Sequence, residues 1–120
     1  MRTAVGVVLV LGTVAFGTAA CGGDSEKTER GNCGSGSWEL SVDKEDKGLE
    51  VTFELQSGGP GESWDVVIAQ GETTLVDGTR QTDEDGELDV DAVADEADGK
   101  SFTVTATPET GEACTASIDF

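Results

Sequence analysis

The sequence predicts an all-β domain, an antiparallel β-sandwich of about seven or eight short strands, and two observations carry that expectation. Apolar side chains recur at every second residue in short runs, as strands with one buried face require. Breaks rich in Gly, Asp and Pro separate those runs at intervals of about 8–12 residues, the spacing at which sandwich strands turn back.

The chain opens on a different pattern. Arg2 supplies a small basic region, an apolar run extends from Ala4 to Phe16, and the small residues Thr18-Ala19-Ala20 precede Cys21. That layout is an export signal, cleaved from the mature protein. As a spanning helix the run is short against the ~20 residues a bilayer core needs. Gly6, Gly12 and Gly17 interrupt it, and no basic cluster follows to stop transfer. Residues 22–32 then hold Gly, Asp, Ser, Glu, Lys, Thr, Arg and Asn with no apolar side chain. Such a segment has nothing to bury, so the expectation is a flexible tether reaching at most ~36 Å.

From Ser37 the period-two signal begins. Trp38, Leu40 and Val42 alternate with Glu39, Ser41 and Asp43, and a polar turn ends at Gly48. Leu49, Val51, Phe53 and Leu55 alternate with Glu50, Thr52, Glu54 and Gln56 until Ser57-Gly58-Gly59-Pro60-Gly61 breaks the run. Trp64, Val66 and Ile68 form the inward side of a third strand, Gln70-Gly71-Glu72 connects it to Thr73–Val76, and Asp77-Gly78 reads as a hairpin turn. A further short strand is expected over Thr79–Thr82, and Asp85-Gly86 turns into Glu87–Asp91 with Leu88 and Val90 inward. Asp91–Asp98 fits one or two helical turns stopped by Gly99. Phe102, Val104 and Ala106 share one face of the next strand, Pro108-Glu109-Thr110-Gly111 turns, and Cys114, Ala116, Ile118 and Phe120 line the last.

Small residues ahead of Cys21, after such an apolar run, resemble the lipobox of bacterial lipoproteins. That resemblance implies diacylation of the Cys21 sulfur, cleavage before it, and anchoring at the outer face of the cell membrane. Two acyl chains hold firmly where one binds reversibly. Ordinary cleavage after Ala20, with release of a soluble protein, is the alternative. The expected organisation is thus a signal peptide over 1–20, a lipid-anchored tether over 21–32 and a β-sandwich over 33–120. With Cys21 committed to lipid, Cys33 and Cys114 are left as a disulfide pair in a compartment where disulfides persist. In a meander the first and seventh main strands run parallel, so these two cysteines share one end of the sandwich.

The strand pattern resembles immunoglobulin-like and fibronectin-type modules. Asp95-Glu96-Ala97-Asp98 leading into Ser101–Thr107 is similar to the turn before their sixth strand, with Phe102 in the place of the corner tyrosine. Val51 or Phe53 and Val104 stand where antibody-like domains carry their core disulfide. Trp64 to Ile118, ending in Gly111-Glu112-Ala113-Cys114, also resembles small secreted lipoproteins of actinobacteria. The resemblance implies a fold and an address, and no activity.

Composition excludes more than it selects. Removal of residues 1–20 takes one of the seven Lys+Arg and leaves six against 25 Asp+Glu, a formal charge of −19. Nucleic acid is therefore not an expected partner, since phosphate binding needs clustered Lys and Arg. No histidine and no tyrosine are present, which removes the usual neutral-pH base and the commonest transition-metal ligand. Gly34-Ser35-Gly36 is not a nucleophile elbow, and Gly58-Gly59-Pro60-Gly61 lacks the Lys and helix of a phosphate cradle. The expectation is a non-enzymatic binding or structural module without a cofactor, tethered to the membrane and serving a cell-envelope protein or ligand. One alternative is a calcium module using Asp83, Asp85, Asp89 and Asp91, drawn from an acidic run of nine Asp/Glu between Asp83 and Asp98. A solvated acidic face is the preferred explanation of that run, because Glu87, Asp89 and Asp91 simply alternate with Leu88 and Val90. A remote alternative is an acidic carbohydrate-active enzyme built on two carboxylates. Trp38 and Trp64 are in phase with inward apolar residues and are expected in the core, not on a ligand platform.

Overall fold

Alternation of apolar and polar residues becomes two sheets facing each other. The structure, a computed structural model, describes residues 25–120. Its strands are β1 Glu26–Cys33, β2 Gly36–Glu45, β3 Gly48–Gln56, β4 Ser63–Gln70, β5 Thr73–Gln81, β6 Glu87–Ala94, β7 Ser101–Pro108 and β8 Cys114–Asp119. They assemble into two four-stranded sheets ordered β1-β2-β3-β6 and β5-β4-β7-β8, with every pairing antiparallel. Leu40, Val42, Leu49, Val51 and Phe53 of one sheet and Val66, Ile68, Phe102, Val104 and Ala106 of the other are fully buried in one cluster. Each large side chain so placed contributes about 1.5–3 kcal/mol relative to exposure. Trp64 joins that cluster, and Trp38 packs half-buried against its edge, over Gly31.

The segment expected as a tether is an edge strand from Glu26 onward. β1 pairs with β2 from Glu26↔Asp43 to Cys33↔Gly36. Its sequence buries little, with only Cys33 fully inside. Two things order it instead of burial: a two-residue Gly34-Ser35 turn with Gly34 at φ 61, and the bridge from Cys33 to Cys114, whose Cα atoms are 5.5 Å apart. The folded unit therefore includes residues 26–32, ahead of the expected start at 33. The expected pairing and the shared end are both present, with Cys33 closing β1 and Cys114 opening β8.

Three local expectations change as well. Asp77-Gly78 is not a turn: it lies inside β5, opposite Val67 and Val66, and the separate Thr79–Thr82 strand merges into the same element. A register shift at Ile68/Ala69 lets the longer strand stay in phase. The helical turns expected over 91–98 shrink to a 3-10 turn at Glu96–Asp98, because β6 continues to Ala94 with Ala92 and Ala94 facing the core. Asp95 caps that turn by accepting from the Ala97 amide at 2.9 Å, and Gly99 ends it.

Antiparallel order sorts the connections between two ends. Turns 34–35, 57–62, 82–86 and 109–113 share the disulfide end, while 46–47, 71–72, 95–100, residue 25 and Phe120 share the other. At the second end Gln70, 3% exposed, donates from Nε2 to the carbonyls of Asp95 and Gly99, each at 2.8 Å. Gln70→Leu leaves both carbonyls without this donor and is expected to cost about 2 kcal/mol, read as a lower urea midpoint at unchanged slope. Joint replacement Cys33→Ala and Cys114→Ala opens a loop of 82 residues, counting both ends of the 81-residue separation. The chain-entropy limit for that loop is ~4.5 kcal/mol, so the expected result of thermal melting is a domain close to its folding threshold.

Candidate functional site

Two surfaces combine concavity with unusual charge. The first is the outer face of the β1-β2-β3-β6 sheet. Register places Arg30, Glu39, Glu54 and Asp89 side by side across four strands. Flanking rows add Glu87, Asp91, Asp43 and Glu50. Arg30 pairs with Glu39 at 3.1 Å, and among the described residues Glu54 and Asp89 have no cation of their own. Partial burial, then Asp89, Glu39, Glu87 and Asp91, hold the Glu54 carboxyl above its ordinary range. Like charges directly opposite on neighbouring strands destabilise a sheet. A shallow groove of about 410 Å³ runs along this row.

The second surface is the disulfide end. Its loops are fastened by Thr82, 4% exposed, whose hydroxyl donates to the Gly59 carbonyl at 2.7 Å and accepts from the Glu62 amide at 2.8 Å. The Thr82 amide donates to Glu62 O, and Gly61 N donates to Thr82 O. Gly86, at φ 81, has the Gly58 and Gly59 amides at 2.9 Å from where a Cβ would stand, so glycine alone fits there. Between the 57–62 and 109–113 loops opens a cleft of about 420 Å³. Cys33, Trp64, Pro108 and Cys114 line it, with Glu62, Glu109 and Glu112 around them. Trp64 Nε1 donates to Glu62 Oε1 at 3.2 Å and so positions that carboxylate.

Of the residues singled out from sequence, Cys21 lies outside the described residues, and Cys33 and Cys114 form the bridge. Asp83, Asp85, Asp89 and Asp91 are not brought together. Asp83 and Asp85 sit in the 82–86 loop, where Asp83 Oδ1 accepts from the amides of Asp85 at 2.8 Å and Glu87 at 3.0 Å. Asp89 and Asp91 project from the outer face of β6. Among the described residues, the carboxylates whose oxygens approach within 4.8 Å are instead Asp43, Glu45 and Glu50, near the opposite end. Sequence reasoning missed that trio because its members come from two strands and meet only through the β2–β3 register. It missed the cleft because the tether reading hid β1, whose residues show no alternation and left only the turn-forming Gly34-Ser35 dipeptide as a local hint.

Comparisons with protein-family models, with curated proteins and with solved structures each return no match.

Glu54→Gln is expected to raise stability at pH 7 by a few tenths of a kcal/mol. The sign follows from the raised folded-state affinity for a proton. Above the ordinary carboxyl value of 4.5 the charged Glu54 opposes folding, and the opposition fades as pH falls through its higher folded-state value. Melting curves of the two proteins should therefore converge below about pH 4.5.

Proposed function

We propose that this chain is a lipid-anchored, non-enzymatic binding module exposed on the outer face of the cell membrane. The observation that carries the reading is the polarity of the sandwich. The chain enters at the end opposite the disulfide loops, so an anchor upstream of residue 25 holds one end near the membrane and turns the cleft outward. Only residues 22–25 separate Cys21 from β1, a leash of at most ~18 Å. β1 itself adds about 27 Å at the rise of an antiparallel strand. The cleft thus faces away from the lipid at a short, defined height.

An immunoglobulin-like relationship is part of the proposal. The order β2-β3-β6 in one sheet and β4-β7-β8 in the other corresponds to strands A-B-E and C-F-G of that architecture. β5 extends the second sheet beside β4, and β1 is an additional strand ahead of β2. In such modules recognition residues gather in loops at one end of the sandwich. The absence of histidine and tyrosine from the sequence favours binding over catalysis.

Detergent phase partitioning tests the anchor: the wild-type protein enters the detergent phase and Cys21→Ser shifts it to the aqueous phase. An aqueous wild type rejects the anchor. A photo-crosslinker at Thr110, on the disulfide end, is expected to give a discrete adduct in intact envelopes, and one at Lys47 on the opposite end is not. Adducts from neither position would reject a binding role for the loop end.

A further inference from the structure

We propose that the cleft between the 57–62 and 109–113 loops takes a cationic side chain, arginine above lysine, presented by a partner protein. The proposal rests on the binding-module reading and names the chemistry of that site.

Its inner lining suits the stem of such a side chain. The half-buried Pro108 and Cys114, with only the edges of the core residues Trp64 and Cys33 behind them, offer aliphatic and sulfur surface, against which the methylenes of Arg or Lys pack while the charged head stays at the mouth. The mouth carries Glu62, Glu109 and Glu112. Among the described residues the ion pairs are Arg30–Glu39, Lys44–Glu96 and Lys100–Glu96, so none of these three carboxylates is neutralised from within the chain. The four loops of this end contain six Asp/Glu (Glu62, Asp83, Glu84, Asp85, Glu109 and Glu112) and no Lys or Arg. The turns of the opposite end hold five Asp/Glu (Asp46, Glu72, Asp95, Glu96 and Asp98), but Lys47 and Lys100 offset two of those charges. An anionic or phosphate-bearing partner is thereby repelled from the cleft and a cationic one attracted.

Geometry separates a side chain from a bare metal ion. Glu62, Glu109 and Glu112 do not gather their oxygens within 4.8 Å of one another, as Asp43, Glu45 and Glu50 do. A spherical cation needs ligands that converge at 2.0–2.6 Å. A guanidinium spreads five donors over a plane and reaches carboxylates that stand apart. The cleft, about 420 Å³, has room for one such side chain and part of the backbone that presents it.

The test uses the full chain in phosphatidylcholine vesicles and a fluorescein-labelled Gly-Arg-Gly-Arg-Gly peptide, followed by anisotropy at about 0.15 M salt. Gly-Gln-Gly-Gln-Gly is the neutral control. The arginine peptide is expected to bind and the neutral one not. Joint replacement Glu109→Gln and Glu112→Gln should weaken binding about tenfold, the loss of one to two charge-assisted hydrogen bonds. Glu54→Gln with Asp89→Asn, on the sheet face, should leave it within about twofold. Equal losses in the two double variants would show a diffuse acidic field and overturn the proposal. So would an absence of binding up to ~1 mM peptide. If the peptide fails while the Thr110 crosslink still forms, the cleft chemistry is wrong and the binding module stands; loss of both rejects the two together.

Discussion

A chain with 25 carboxylates and seven basic residues can fold only if nearly every carboxylate remains in water. The cost of desolvating an unpaired carboxylate exceeds what any single apolar contact returns. Strand geometry meets that constraint at every second residue. Glu50, Glu54, Glu87, Asp89 and Asp91 all point away from the core, while their immediate neighbours Leu49, Val51, Phe53, Leu88 and Val90 fill it. Among the described residues the buried polar side chains are Gln70 and Thr82, both hydrogen-bonded at an end of the sandwich. The charge is thus kept outside the apolar layer, but it is not spread evenly. Register sets Glu39, Glu54 and Asp89 in one line, and that repulsion must be outweighed by the layer beneath.

The sheets were legible wherever the side chains alternate. β3 can be read from Leu49-Glu50-Val51-Thr52-Phe53-Glu54-Leu55 alone, because each residue reports which face it occupies. β1 could not be read that way, since a strand at a sheet edge is held by main-chain hydrogen bonds and a covalent bridge, neither of which leaves an apolar trace in sequence. Asp77-Gly78 misled for the opposite reason. Its dipeptide favours a turn locally, yet Ile68↔Val76 and Trp64↔Arg80 hold it in a straight strand from both sides. Pairing across the sheet outweighs a two-residue preference.

The acidic run from Asp83 to Asp98 shows the same limit for sites. Its composition is visible in one dimension, but strand alternation sends Asp89 and Asp91 to a sheet face and leaves Asp83 closing a loop. Proximity in sequence dispersed them, whereas Glu62, Glu109 and Glu112, up to 50 residues apart, border one cleft. The disulfide expectation succeeded because a covalent partner needs only the end of the domain to be right, a coarser requirement than the direction of a carboxylate.

The bridge also decides how the domain responds to mechanical load. A pull applied between residue 25 and an object seated in the cleft enters at Glu26 and runs along β1 to Cys33. There it passes through sulfur into Cys114, at the lip of the same cleft. The shortest force path between residue 25 and the cleft is therefore one strand and one covalent bond. The β1–β2 ladder, eight register pairs long, runs alongside that covalent path. The apolar layer between the sheets lies beside this path, so tension between these two points does not pry the sheets apart.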